Sequence, residues 1–122
     1  MTIQECYEIM GADYDDLLRR FKKEERIRMF IKMLLKDQNY NHLCDSLVHQ
    51  DYETAFIAIH TLKGIALNLG LTDLIHSSSE LTEILRFKKD DYRIEQLMQK
   101  VESDYTQMIS LLSEVIDCEG KK

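Results

Sequence analysis

The chain has no proline in its 122 residues and only four glycines. Proline and glycine form most tight turns, and a β-sandwich or β-barrel needs many such turns. So few turn-forming residues disfavour those folds and exclude collagen-like and proline-rich sequences. With 44% hydrophobic and 31% charged residues, the chain has the composition of a globular domain rather than of a disordered one.

Apolar residues recur with a period near 3.6 along almost the whole chain, which predicts an all-α fold. Short helices are predicted over residues 2–10, ended by Gly11, and over residues 13–21, capped by Asp13. Together they form a short N-terminal helical arm, residues 2–23.

A long helix is predicted over residues 24–49. The polar stretch 36–41 could interrupt it. Continuity is favoured because five residues keep helical phase across the stretch: Phe30, Met33, Tyr40, Cys44 and Leu47.

Three more helices are expected. Asp51 is predicted to cap one that Gly70 ends, and Thr72 to cap the next, over residues 72–87. After a connection at 88–91, the last helix runs from about Asp91 to Asp117. The helix after Asp51 has an apolar stripe formed by Ala55, Ile59, Leu62, Ala66 and Leu69.

Short connections force successive helices to run antiparallel. The expected architecture is therefore an antiparallel up-down-up-down four-helix bundle over residues 24–117, preceded by the arm. Residues 1–122 are interpreted as a single domain, in which 118–122 form a frayed tail.

The net charge, the apolar runs and the cysteine content argue against several classes of function and of location. The net charge of −6 disfavours binding to nucleic acid or to an anionic membrane surface. No apolar run reaches the roughly 18–20 residues of a membrane span, and the N-terminus does not have the pattern of a signal peptide. Cys6, Cys44 and Cys118 are odd in number and far apart, which argues against disulfides and a zinc site and favours the reducing cytoplasm.

The chemistry of the chain centres on His60, which lies beside the apolar stripe of its helix rather than on it. Lys63 and Gly64 follow at i+3 and i+4, the spacings of neighbouring helix side chains. A glycine inside a helix costs about 0.5–1 kcal/mol relative to alanine. Either close helix packing or a need for open space explains Gly64, and the adjacent His60 and Lys63 favour the second explanation.

These three residues suit a phosphoryl carrier. A neutral imidazole nitrogen is a good nucleophile near pH 7. A phosphoryl group attached to it brings negative charge that Lys63 can neutralise, while Gly64 lets a partner approach in line. The chain has no glycine-rich phosphate loop and no kinase motif, so the phosphoryl group is expected to come from another protein.

The segment 60–70, HTLKGIALNLG, resembles the signature of histidine-containing phosphotransfer (HPt) domains, the modules of bacterial multistep phosphorelays. The resemblance extends over residues 2–117. It implies a four-helix bundle in which His60 is phosphorylated on Nε2 and exchanges that group reversibly with an aspartate of a receiver domain. Lys63 would stabilise the phosphorylated state and Gly64 would keep access open. The aspartate and an assisting Mg²⁺ would belong to the receiver, so the chain itself is expected to hold no metal and no cofactor.

The resemblance also implies a hydrogen-bond partner for the imidazole. Many HPt domains carry a glutamine or another polar residue for this purpose on the following helix. The equivalent position here is Thr82, and Ser79 and Glu83 are the other candidates.

In the family, the partner surface is an apolar patch beside the histidine, built partly from the N-terminal helix. Ile3 and Tyr7 of the arm are the implied contributors here. Phe56 and Leu67 lie by phase on the exposed side of their helix and are candidates for the same docking surface. For Phe56 the alternative is that it packs under the arm.

The other histidines are interpreted as structural or solvated residues. His76 is expected to be a solvated or packing residue, although a second active histidine is conceivable. His42 and His49 are seven residues apart, too far for a compact metal pair without outside ligands.

The sequence therefore predicts a stand-alone, cytoplasmic and monomeric phosphotransfer protein without kinase activity. Its expected partners are receiver domains of response regulators, a hybrid histidine kinase, or both. Two alternatives remain. One is an HPt-like adaptor that binds receivers without carrying phosphate, and the other is a chemotaxis-type phosphotransfer domain that a kinase phosphorylates directly.

Overall fold

Residues 1–120 are described by the structure, a computed structural model, and this part of the chain contains seven α-helices and no strand. The all-α prediction is confirmed. The helices are α1 (Ile3–Ile9), α2 (Tyr14–Phe21), α3 (Glu24–Leu35), α4 (Asn39–Val48), α5 (Tyr52–Leu69), α6 (Thr72–Leu85) and α7 (Ile94–Gly120). Of the tail predicted to fray, residues 118–120 continue α7, and 121–122 lie outside the described residues.

Most of the predicted helix ends are confirmed. The carboxylates of Asp13 and Asp51 each accept a hydrogen bond from the backbone N–H three residues later, at 3.0 and 3.2 Å. Gly11 and Gly70 follow the ends of α1 and α5 with φ of +68° and +64°. Only glycine adopts this left-handed conformation without strain, which explains why two of the few glycines stand there.

The prediction that Thr72 caps α6 is wrong. Thr72 is the first residue of α6, and Leu71 takes the cap position without a side-chain hydrogen bond. The backbone N–H of Leu71 donates to the carbonyl of Ala66 at 3.0 Å, and the Leu71 side chain is buried. The tight turn after Gly70 thus directs an apolar residue into the core immediately before the helix.

The helix predicted over residues 24–49 is interrupted, so its predicted continuity is wrong. The carboxylate of Asp37 accepts hydrogen bonds from the backbone N–H of Asn39 at 2.9 Å and from its side-chain amide at 2.8 Å. Asp and Asn compete with helix hydrogen bonding in this way, and here they end α3 and start α4. Tyr40, just after the break, stacks on Tyr105 of α7 with ring centres 4.0 Å apart.

The position of α5 between other helices determines which of its faces reaches solvent. It packs against α4 and α6, while α7 packs against α6, α3 and α1. The predicted apolar stripe of α5 is buried in the common core: Ala55, Ile59, Leu62, Ala66 and Leu69. The opposite face of α5 is therefore the one left free to interact with other molecules.

The N-terminal arm covers the C-terminal end of α5. The hydroxyl of Tyr7 donates to the carbonyl of Leu69 at 2.7 Å, and the guanidinium of Arg20 donates to that of Asn68 at 3.1 Å. The last carbonyls of a helix have no partner within it, so these bonds satisfy groups that the helix itself leaves open. The arm thereby fixes the end of the helix that carries His60.

Candidate functional site

His60 lies on the exposed face of α5, near the middle of the helix, as its phase predicts. Gly64 and Leu67 follow it on the same face, and Ile57 precedes it by one turn. The side chains of Ile57 and Leu67 are 64% and 50% exposed. An imidazole that stands among exposed apolar side chains can be reached by another protein, and these side chains give that protein an apolar surface to bind.

Phe56 links the imidazole to the end of α6. Its ring centre lies 5.8 Å from that of His60. The guanidinium carbon of Arg86 lies 5.8 Å from the Phe56 ring centre, and Nζ of Lys88 lies 5.6 Å from it. Phe56 is half-buried and contacts these cations. The alternative prediction, that Phe56 packs under the arm, therefore names the wrong contact.

Arg86 and Lys88 are site residues that sequence reasoning missed. The available signal was the run Arg86–Lys89, RFKK, which spans the end of the helix predicted over residues 72–87 and the start of the connection after it. The contact depends on the antiparallel arrangement of α5 and α6, which are joined by Gly70 and Leu71 and pack along each other. Cation–π contacts of this kind hold positive charge close to an aromatic ring, and here that ring is the one that neighbours His60.

Lys63 and Glu83 lie across the contact between α5 and α6. The carboxylate of Glu83 accepts a hydrogen bond from Arg86 at 2.9 Å. The pKa of Glu83 is lowered, mainly by the hydrogen bond and charge of Arg86 and further by the charge of Lys63. Three cations, Lys63, Arg86 and Lys88, and the carboxylate of Glu83 therefore lie on the α5–α6 surface that includes Phe56 and His60.

Gly64 leaves open space beside His60. A Cβ atom built on Gly64 would have no atom within 4 Å, apart from its own stretch of helix, and the backbone there is helical. Close helix packing therefore does not require a glycine at this position. Open space is the remaining explanation of the two that the sequence allows.

None of the three residues predicted to orient the imidazole, Thr82, Ser79 and Glu83, forms a hydrogen bond with it in the described part of the chain. Thr82 is fully buried, and its hydroxyl donates to the carbonyl of Ser78 at 2.6 Å. Ser79 is half-buried and Glu83 is paired with Arg86. Within residues 1–117, whose side chains are described, no hydrogen bond reaches a ring nitrogen of His60.

The predicted docking role of Ile3 and Tyr7 is wrong. Both side chains are fully buried in the core beneath α1. The arm turns its apolar side inward because it closes the end of the core next to α5 and α7. Leu67 is exposed as predicted, whereas Phe56 is half-buried.

The other histidines lie away from this site. His76 is exposed and lines a shallow depression between α6 and α7 together with Glu80 and Lys100. His42 is exposed on α4, and His49, also exposed, directly follows the last residue of that helix. Among the described residues, no group of three or more metal-ligating side chains is gathered in one place. In that same part of the chain, no helix has both the length and the apolar character needed to cross a bilayer.

Comparison of the chain with protein-family models, with curated proteins and with solved structures finds no match in any of the three. The case for a function therefore depends on the chemistry of His60 and its neighbours.

Proposed function

We propose that this protein is a phosphoryl carrier of the HPt type, which relays a phosphoryl group between His60 and an aspartate of partner receiver domains. One observation carries the proposal: an exposed imidazole in the middle of a helix has a lysine, Lys63, at i+3 and open space at i+4, where Gly64 has no side chain. A structural histidine needs neither feature. A nucleophile that must meet a second protein needs both.

In the proposed phosphoryl transfer, His60, Lys63 and Gly64 each have a role. The lone pair of Nε2 of His60 attacks the phosphorus of an aspartyl phosphate, an N–P bond forms, and the P–O bond to the aspartate breaks, which releases a carboxylate. The reverse step returns the group to a second receiver. Lys63 neutralises the charge of the phosphoryl group on this side, and Mg²⁺ held by the receiver does so on the other. Gly64 leaves room for the receiver's reacting carboxylate.

The packing of the helices supports the finer fold that we propose with this function. Helix α5 lies between α4 and α6. Helix α6 also packs on α7, and α7 in turn packs on α3. If α3 and α4 together count as one broken member, the result is an antiparallel four-helix bundle with the arm at one end. A monomer in the cytoplasm, with receiver domains or a hybrid histidine kinase as partners, is part of the same proposal.

Transfer of ³²P from a phosphorylated receiver domain tests the proposal. We expect acid-labile, base-stable label on the wild-type protein and none on His60→Gln. His76→Gln is the matched control, because it removes an exposed histidine from the neighbouring helix. It should label like the wild type, and both variants should unfold within about 0.5 kcal/mol of it, since exposed side chains contribute little packing.

The same assay separates the alternatives. Binding of several receivers without label would replace the carrier by an adaptor. Label that appears only with a kinase and ATP, and never from a phosphorylated receiver, would favour the directly phosphorylated type. Loss of label in His76→Gln with retention in His60→Gln would move the site to α6.

A further inference from the structure

The carboxylate of Glu83 interacts with two cations of the surface that includes Phe56 and His60. Glu83 accepts a hydrogen bond from Arg86 at 2.9 Å, and Arg86 lies over the ring of Phe56, which contacts the imidazole. Lys63 lies on the neighbouring helix α5, and its charge contributes to the lowered pKa of the same carboxylate. Two cations on the surface beside His60 are therefore already attracted to another anion.

We propose that Glu83 sets how firmly His60 holds a phosphoryl group, because it competes with that group for Lys63 and Arg86. The inference rests on the proposed function and names a residue that regulates the same site.

The competition changes sign between the two states of His60. When His60 is free, Glu83 offsets the repulsion between Lys63 and Arg86 and keeps both near the imidazole. A phosphoryl group adds a charge of about −1.5 to −2 near pH 7, and Glu83 then repels it. The carboxylate thus stabilises the empty site and destabilises the loaded one, which favours passing the group on.

The size of the effect follows from exposure. The side chains of Glu83 and Arg86 are 61% and 52% exposed, so water and salt screen their interactions. Exposed ion pairs at this distance change an equilibrium by up to about fivefold. Glu83 should therefore adjust the stability of the phosphohistidine without deciding whether it forms.

The test needs no partner protein. Phosphoramidate loads the protein: an N–P bond forms at His60 while the P–N bond of phosphoramidate breaks and ammonia leaves. Free imidazole is then added, and its ring nitrogen takes the phosphoryl group as the bond to His60 breaks. Because one imidazole replaces another, the exchange balances and its equilibrium constant can be read by ³¹P NMR.

Glu83→Gln is compared with Glu80→Gln, the same change one turn earlier on α6. Glu80 is also exposed and ion-paired, but its partner is Lys100 of α7, 3.7 Å away. We expect Glu83→Gln to retain the phosphoryl group about two- to fivefold more than the wild type, and Glu80→Gln to match the wild type. The gain should shrink in 1 M salt and in an Arg86→Gln background, which a purely structural role of Glu83 would not cause.

Each result decides the question. If Glu83→Gln loads at His60 but retains the group no better than Glu80→Gln, this inference is overturned and the proposed function stands. Equal gains in the presence and absence of Arg86 would overturn it as well. If the wild-type protein takes no phosphoryl group at His60 from any donor, the proposed function fails and the inference fails with it.

Discussion

Gly64 is the residue at which stability and access to His60 should oppose each other. Its φ is helical and its missing Cβ would meet no other atom, so Gly64→Ala should raise the free energy of unfolding by about 0.5–1 kcal/mol. Gly70→Ala is the control, because φ there is +64° and the same change should lower that free energy by about 1 kcal/mol. Urea unfolding followed by circular dichroism measures both.

A larger side chain at the same position should affect transfer instead. Gly64→Leu introduces a good helix former on an exposed surface but fills the space beside His60. We expect the rate of phosphotransfer to fall about tenfold or more while the protein stays folded. Thr61→Leu adds a similar side chain at the exposed position after His60 and should slow transfer less. Equal rates for Gly64→Leu and the wild type would show that Gly64 does not serve access.

The histidine could be predicted from the sequence, whereas the charges around it could be predicted only in part. Helical phase alone places His60 off the buried stripe and Lys63 one turn away. Arg86 and Lys88 contact Phe56, which lies on a different helix. A single sequence does not predict how these two helices are aligned, and so does not predict these contacts. Lys88 also has φ of +54° where the chain turns after α6, a conformation that does not follow from its residue type.

At the scale of the element, α5 shows why some helix ends can be read from sequence and others cannot. Asp51 and Gly70 act through local geometry, so the sequence predicts both ends of α5. The break at Asp37 is also local, but the apolar phase across it continues, and the periodicity predicts one helix where there are two. Leu71 replaces Thr72 as the cap because burial outweighs the hydroxyl's preference for that position.

The end of α5 also depends on the arm, which a substitution can test. Tyr7→Phe removes one hydroxyl and leaves the carbonyl of Leu69 without that donor in a buried environment. We expect a loss of about 1–2 kcal/mol in the free energy of unfolding. Amide exchange should rise near the end of α5 before it rises elsewhere, because the arm holds that end. Tyr92→Phe, on a side chain that is 91% exposed, should change neither quantity.

At the scale of the whole molecule, burial of ionisable groups makes stability depend on alkaline pH. Burial raises the pKa of Cys6 to about 11. Burial likewise raises the pKa of Tyr7, and those of Tyr40 and Tyr105, which stack on each other between α4 and α7, are raised mainly for the same reason. These groups are neutral in the folded protein and belong to three different helices, so their ionisation should act on the fold as a unit.

The sign follows from linkage. An unfolded cysteine ionises near pH 8.5 and an unfolded tyrosine near pH 10, whereas the folded protein keeps both protonated to higher pH. The stability that burial provides is thus fully present below about pH 8 and is lost progressively as the pH rises towards 11.

Urea unfolding at pH 7.5, 9 and 10.5 should give falling free energies with a single transition. The decline should be shallower in Tyr7→Phe, because one buried phenol is gone, and unchanged in Tyr92→Phe. A decline that is identical in all three proteins would mean that the ionisation of Tyr7 does not contribute to the alkaline limit of this fold.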